Sequence, residues 1–326
     1  MTAPSPRSAA PSEPPPELVA RFKAALDRLW PEGGTLGLAV SGGPDSLAML
    51  LLAEAAIPGQ LEVATVDHGL RPASADECAM VARVCAERRI GCDVLPVTVE
   101  RGNLQASARA ARYTALARWA PERGLSAIAT AHHADDQAET ILMRLNRGGG
   151  VAGLAGVRGR GTLPGSDIRL IRPVLGFRRA ELAHVVERAG FAAANDPSNA
   201  DARFDRVRLR QALAVTDWLD PSSLAASASH LADADDALEW AAGREWDEHV
   251  TLAGAEVRYR CRAPRAVALR IVERAVLGLG GRPRGSDVAR LLDRLEADDG
   301  GNVAGVLATV EGEDWVFRRE PPRRSG

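Results

Sequence analysis

The stretch Leu36 to Leu52, LGLAVSGGPDSLAMLLL, constrains this chain more than any other. Leu36 to Val40 is a short apolar run bounded by turn residues, the pattern of a buried parallel strand. Ser41, Gly42 and Gly43 break it. Pro44 suits the first turn of a helix, where its missing N–H is not needed, and Leu47 to Leu52 supplies the helix's apolar body. A glycine turn feeding a helix N-terminus is an anion site, because successive N–H groups share one concavity and the helix dipole adds positive potential. Ser41 and Ser46 can add hydroxyl donors. Asp45 would repel a phosphate, unless it holds a Mg²⁺ bridging to the phosphates. Ordinary strand–helix turns use the same residue types, so the rest of the chain must decide.

In order, Glu17 to Trp30 reads as an amphipathic helix with Leu18, Phe22 and Leu26 on one face. Strands follow at Leu61 to Val66, Cys92 to Val97 and Ser126 to Thr130. Helices lie between them, one opened by a Ser74-x-x-Glu77 capping box and one over Asn103 to Trp119 carrying Gln105, Arg109, Arg112 and Tyr113. Strand–helix alternation predicts an α/β fold, a doubly wound parallel sheet. Ligands in such sheets bind beyond the carboxyl ends of the strands. Three polar clusters fall there: Ser41 to Ser46, Asp67-His68, and His132 to Asp136. Asp136 lies in the first turn of its helix, where it can face a cation or nucleotide. The alternative is that Asp135 simply caps the helix and Glu139 sits on its solvated face.

Residues 1–16, rich in Pro, Ser and Ala, read as a disordered tail, 17–213 as the nucleotide-binding domain, and 222–326 as a smaller, mainly helical C-terminal domain. Arg147 to Gly165 is glycine-rich, either a loop that orders over substrate or a surface linker. Ile168 to Val174 is a strand, Phe177 to Ala189 a helix, and Asn195 to Asn199 a turn-rich loop. Ser222 or Ser223 would cap a long helix running to about Val250, whose Asp233, Asp235 and Asp236 read as a solvated face. Two helices and short strands around 305–310 and 315–319 close the chain.

The 326 residues carry a formal net charge of −2, which disfavours a protein that coats nucleic acid. No apolar run reaches membrane-span length, and no basic segment precedes an apolar one, so no membrane is expected and the cytoplasm is the default compartment. Cys78, Cys85, Cys92 and Cys261 form no C-x-x-C pair. Lys23 is the chain's one lysine and precedes the first strand, which excludes a Walker-type loop.

Ser41-Gly42-Gly43-Pro44-Asp45-Ser46 resembles the SGGxDS loop of the N-type ATP pyrophosphatases, the PP-loop superfamily. The order SGGPDS, VDHGLR, NLQASARAARY, TAHHADDQAETILMRLNRG, GLAG, IRPVL and DPSN, followed by arginines 203 to 210, resembles the tRNA(Ile)-lysidine synthase family from residue 36 to about 212. The C-terminal third matches only loosely. Val207 stands where the family usually has Asn, and the length implies an abbreviated outer C-terminal domain.

The resemblance implies ATP as co-substrate, Mg²⁺, free L-lysine, and a tRNA(Ile) with a CAU anticodon. The wobble cytidine's C2 oxygen attacks the α-phosphate, pyrophosphate leaves, and the lysine ε-amine displaces AMP to form lysidine. Ser41 to Ser46, with Asp67 and His68, would bind the nucleotide. Asp45 and Asp136 would hold the metal, and Arg109 or Arg112 would clamp the α-phosphate or the adenylated base. His132, His133 or an aspartate would take the lysine proton, leaving Asp45, Arg112, His133 and Asp136 as the catalytic set. Arginines 158, 160, 172, 203, 206, 208 and 210 are candidate tRNA phosphate contacts. Two alternatives stay open: another PP-loop enzyme modifying tRNA, and a non-catalytic nucleotide-binding α/β protein. The sequence leaves the oligomeric state undetermined, a homodimer included.

Overall fold

The computed structural model describes residues 12–69, 72–99, 104–191 and 205–320. Residues 1–11 of the expected tail, Arg71, the 195–199 turn, Arg203 and the Gln105 side chain lie outside these. The chain forms two compact units, 1–231 and 232–326.

The first unit holds a six-stranded sheet in the order β3-β2-β1-β4-β6-β5. Its strands are β1 (Leu36–Ala39), β2 (Leu61–Asp67), β3 (Gly91–Pro96), β4 (Ala127–Ala129), β5 (Arg160–Thr162) and β6 (Arg169–Ile171). All pairings are parallel except that of β5 with β6. One face is covered by α1 (Pro16–Leu29), α2 (Pro44–Ala56), α3 (Pro72–Glu87) and α7 (Arg179–Arg188), which share a core with β1. The other face is covered by α4 (Leu104–Glu122), where Tyr113, Leu116 and Trp119 pack on Ala64, Ile128 and Leu170. Ser46 through Ala53 of α2 are all buried. A helix apolar all round belongs in the middle of a core, so the anion loop is anchored on a deeply buried helix. Lys23 sits on the exposed face of α1, ion-paired with Asp27.

β1 is hydrogen-bonded to β2 on one side and β4 on the other, so the chain leaves β1 and β4 at the point where strand order reverses. In open α/β sheets that crevice is where ligands bind. The two richest polar clusters, after β1 and after β4, therefore meet.

The expected Ser74 cap is corrected. α3 opens at Pro72, and Ser74 Oγ donates instead to Asp67 Oδ1 at 2.7 Å. The glycine-rich segment after α5 (Ala134–Leu145) is pinned. Gln137 bonds Val157 through both its amide atoms at 2.8 and 2.6 Å, and Arg144 donates to the Gly153 and Gly156 carbonyls around the one-turn α6 (Val151–Leu154). α8 (Asp205–Val215) carries Arg206, Arg208 and Arg210, and its Val207 is buried, so an apolar residue suits that position.

α9 (Pro221–His249) opens on Asp220, whose carboxylate accepts from the Ser222 and Ser223 N–H groups at 3.2 and 2.9 Å, in place of the serine cap expected. The second unit adds α10 (Arg265–Gly278), α11 (Gly285–Glu296) and an antiparallel sheet in the order β7-β8-β11-β10-β9. Its strands are β7 (Val250–Ala253), β8 (Glu256–Tyr259), β9 (Gly301–Val303), β10 (Val306–Glu311) and β11 (Asp314–Arg319). The β7–β8 hairpin is an addition to the sequence reading. Tyr259, Ile271, Leu292 and Phe317 centre this unit's own core. Asp235 pairs with Arg270, so the acidic run on α9 is partly engaged rather than wholly solvated.

Candidate active site

The loop after β1 is built around Gly42, whose φ of +83° lies in the left-handed region. Gly43 is the N-cap of α2, and no side chain caps that helix. Its first N–H groups are thus left for a ligand. Ser46 Oγ donates to the Gly43 carbonyl at 2.9 Å and accepts from Ser41 N at 3.2 Å, which draws the loop into a ring. Ser41, Gly43, Asp45 and Ser46 line a cavity of about 240 Å³, joined by His68, Arg112, His132, Asp136 and Arg206. The residues after β1 and β4, separated by some ninety positions in the chain, are brought to one crevice.

Two walls of opposite charge face this space. On the acidic side, His133 is the N-cap of α5 and only 1% exposed. Its Nε2 lies 3.4 Å from Asp45 Oδ2 and 3.5 Å from Asp136 Oδ2. Burial works against its charged form, but the hydrogen bond to Asp45 and the Asp136 charge prevail, and its pKa is raised. His133 therefore stands behind the two carboxylates rather than against the cavity. Asp135 is turned away: it accepts from Arg179 N at 2.7 Å and pairs with Arg178, so the cap expected of it is supplied by His133.

On the basic side, Arg109 and Arg112 lie over the Tyr113 ring, with Cζ 4.9 and 5.4 Å from its centroid. Arg172 is 8% exposed and donates to the Arg158 carbonyl at 2.6 Å. Tyr113 faces both Arg112 and Arg172, whose Nε atoms are buried without hydrogen-bond partners. Burial lowers the pKa of both guanidiniums. Burial, then the charge of Arg172, pushes His132 down to about 4, so its ring is neutral at pH 7. Buried donors left unsatisfied beside a cavity mark a place for an anion.

Several expected residues stand elsewhere. Asp67 does not line the cavity; its Oδ1 accepts from Gly69 N at 2.9 Å and from Ser74, which holds the β2–α3 turn and leaves His68 as that cluster's contribution. Glu139 is buried, not on a solvated face, with Arg210 Nε 2.7 Å from Oε1 and Arg206 Nε 3.6 Å from Oε2. Burial opposes the Arg210 charge, but Glu139 more than offsets it and its pKa is raised. Arg172 is buried and Arg210 is engaged by Glu139, whereas Arg206 lines the cavity. Sequence reasoning missed Thr130 in that wall; it singled out Arg172, but as a tRNA phosphate contact rather than a buried residue beside the site.

The site fits a magnesium ion of the kind held jointly with substrate. Asp45 Oδ1 is buried without a partner, and Asp136 lines the same space. Among the described residues no group of three or more His, Cys, Asp or Glu forms a cage. Mg²⁺ characteristically takes one or two carboxylates and completes its shell with phosphates and water.

Comparison with known proteins agrees with this geometry. Residues 16–216 match the family model described as a PP-loop domain. The chain is 51% identical over 309 residues to a tRNA(Ile)-lysidine synthase of Novosphingobium aromaticivorans, covering 94% of each chain. It is 40% identical to one from Zymomonas mobilis, covering 90% of this chain and 91% of that one. Among solved structures, a U34-tRNA thiolase from Methanococcus maripaludis superposes with a TM-score of 0.53 at 17% identity, over 66% of this chain and 79% of that one, a likeness of fold.

Proposed function

The chain belongs to the tRNA(Ile)-lysidine synthase family and carries its PP-loop domain, and from that premise we propose that it ligates free L-lysine to C2 of the wobble cytidine in a CAU-anticodon isoleucine tRNA, consuming ATP. One observation supports this most: a phosphate loop, an acidic pair and a buried basic wall share one crevice at the sheet's reversal point. Such a site suits a reaction that joins a polyanion, an extruded base and a cation.

In the first step the cytidine C2 oxygen attacks the α-phosphorus of ATP, the bond to the bridging oxygen breaks, and pyrophosphate leaves. Backbone N–H groups of Gly42, Gly43 and Asp45 and the hydroxyls of Ser41 and Ser46 bind the departing diphosphate as its charge grows, which favours the transition state. Asp45 and Asp136 would hold Mg²⁺, which supplies neutralisation of that charge. Arg112, unpartnered at Nε, takes the α-phosphate side.

In the second step the ε-amine attacks C2 and the C2–O bond breaks, releasing AMP. Lysine enters as an ammonium ion, so the acidic wall receives it. Asp136 accepts the proton, its carboxylate held in place by His133, whose Nε2 lies 3.5 Å away. The target cytidine lies in a single-stranded loop, where extrusion costs less than from a duplex. The second unit is the further tRNA platform.

The deciding assay is incorporation of radiolabelled lysine into a CAU-anticodon tRNA(Ile) transcript. ATP-dependent labelling is expected, with none for a transcript whose wobble base is U. Pyrophosphate exchange that proceeds equally without tRNA would contradict the reading.

A further inference from the structure

The ATP crevice uses only the first turns of α5. Further along, Leu142, Met143, Asn146 and Arg147 face Arg208 and Leu209 of α8 around a second cavity of about 430 Å³. Its floor is two leucines and a thioether. Two guanidiniums and a carboxamide complete the lining. Leu145 beside it is 59% exposed.

That lining matches a flat heterocycle carried on a phosphate backbone. An unstacked base packs on methionine and leucine, a guanidinium stacks on it or bonds its phosphate, and a carboxamide reads its edge. The position matches as well. α5 places Asp136 in the first cavity and Leu142 in the second, about 9 Å apart at 1.5 Å per residue. α8 likewise gives Arg206 to the first and Arg208 with Leu209 to the second. Both cavities thus draw lining residues from the same two helices, α5 and α8.

The geometry points to this α5–α8 cavity as the receptor for the adenine that follows the reacting cytidine in the CAU anticodon, with Asn146 reading that base. This inference rests on the lysidine-forming reading of the first cavity. A carboxamide offers one donor and one acceptor side by side, the complement of adenine N6 and N7. Met143 and Leu209 supply the stacking surface, and Arg147 and Arg208 the attraction for backbone phosphate.

The test uses the full chain and two CAU anticodon stem-loops, one carrying adenine and one 7-deazaadenine at that position, with affinity read by fluorescence anisotropy. Loss of N7 should weaken binding to the unaltered protein about tenfold. Asn146→Ala, at an exposed helix end, should bind both RNAs alike, at the weaker level. Met143→Ala should lower affinity for both severalfold while keeping the difference between them. ATP binding should be unchanged in both variants, which also reports that they fold. The proposal is overturned if the unaltered protein does not distinguish the two RNAs, or if Asn146→Ala distinguishes them as well as before. It is also overturned if the variants alter self-association and leave RNA affinity intact. Anisotropy reports occupancy whether or not lysine is transferred, so failure of the lysine assay and failure of this inference are separate results.

Discussion

Gly42 and Asp45 carry different burdens in the same loop. At Gly42 the backbone has φ +83°, and an added Cβ would lie 3.1 Å from Met80 Cε. Gly42→Ala should cost about 1–2 kcal/mol, mostly from the left-handed backbone, as read by urea unfolding. Asp45→Asn should leave stability nearly intact and abolish tRNA-dependent pyrophosphate release; normal turnover in that variant would remove the metal from its assigned place. His132 gives a pH signature. Its pKa is about 4 in the folded protein against 6.5 for an unhindered histidine, so the unfolded chain takes up the proton first as pH falls. His132 therefore contributes no loss above pH 6.5 and a growing loss between 6.5 and about 4. His132→Gln should lose less stability than the unaltered protein between pH 7 and pH 5 in matched denaturant melts. These roles were readable from sequence to different depths. The Ser41–Ser46 loop is a local structure whose turn, cap and hydroxyls lie within six residues. The opposite environments of His132 and His133 were not readable, because Arg172 and Asp45, the neighbours that set them apart, come from other strand ends.

At the scale of elements, the α5–α8 pairing decides whether the crevice has its outer wall. Glu139 is buried on α5 and its guanidinium partner stands 71 residues later on α8. No sequence periodicity announces such a pair, which is why Glu139 looked like a solvated residue. Arg210→Met would remove the nearer of two guanidiniums on the buried Glu139 carboxylate and should destabilise the protein by about 2 kcal/mol. It should also reduce turnover, because Arg206, which lines the crevice, would be drawn closer to the Glu139 carboxylate left behind. Differential scanning calorimetry and the lysine assay separate the two effects. The long, strongly patterned elements were legible: α1, α2 and the parallel strands follow directly from apolar runs and breakers. The β7–β8 hairpin was not, since its four-residue strands lack a buried run and β7 is mostly exposed. The Ser74 reading failed for a similar reason: the capping pattern was present, but a carboxylate at the end of β2 competed for the hydroxyl and won.

At the scale of the molecule, each unit has its own apolar core, one around α2 and one around Tyr259 and Phe317. A chain ending at Leu231 should keep ATP binding, by calorimetric titration, and lose most of its affinity for tRNA. Undiminished tRNA binding would mean that the second unit has no part in recognition. Lys23, paired with Asp27 on the outward face of α1, is the one lysine in the sequence. Amine-directed coupling would therefore place a fluorophore or a surface tether at a single side chain outside the crevice, the chain's own α-amino group aside. An immobilised, catalytically intact sensor for its substrates could be made without engineering a handle.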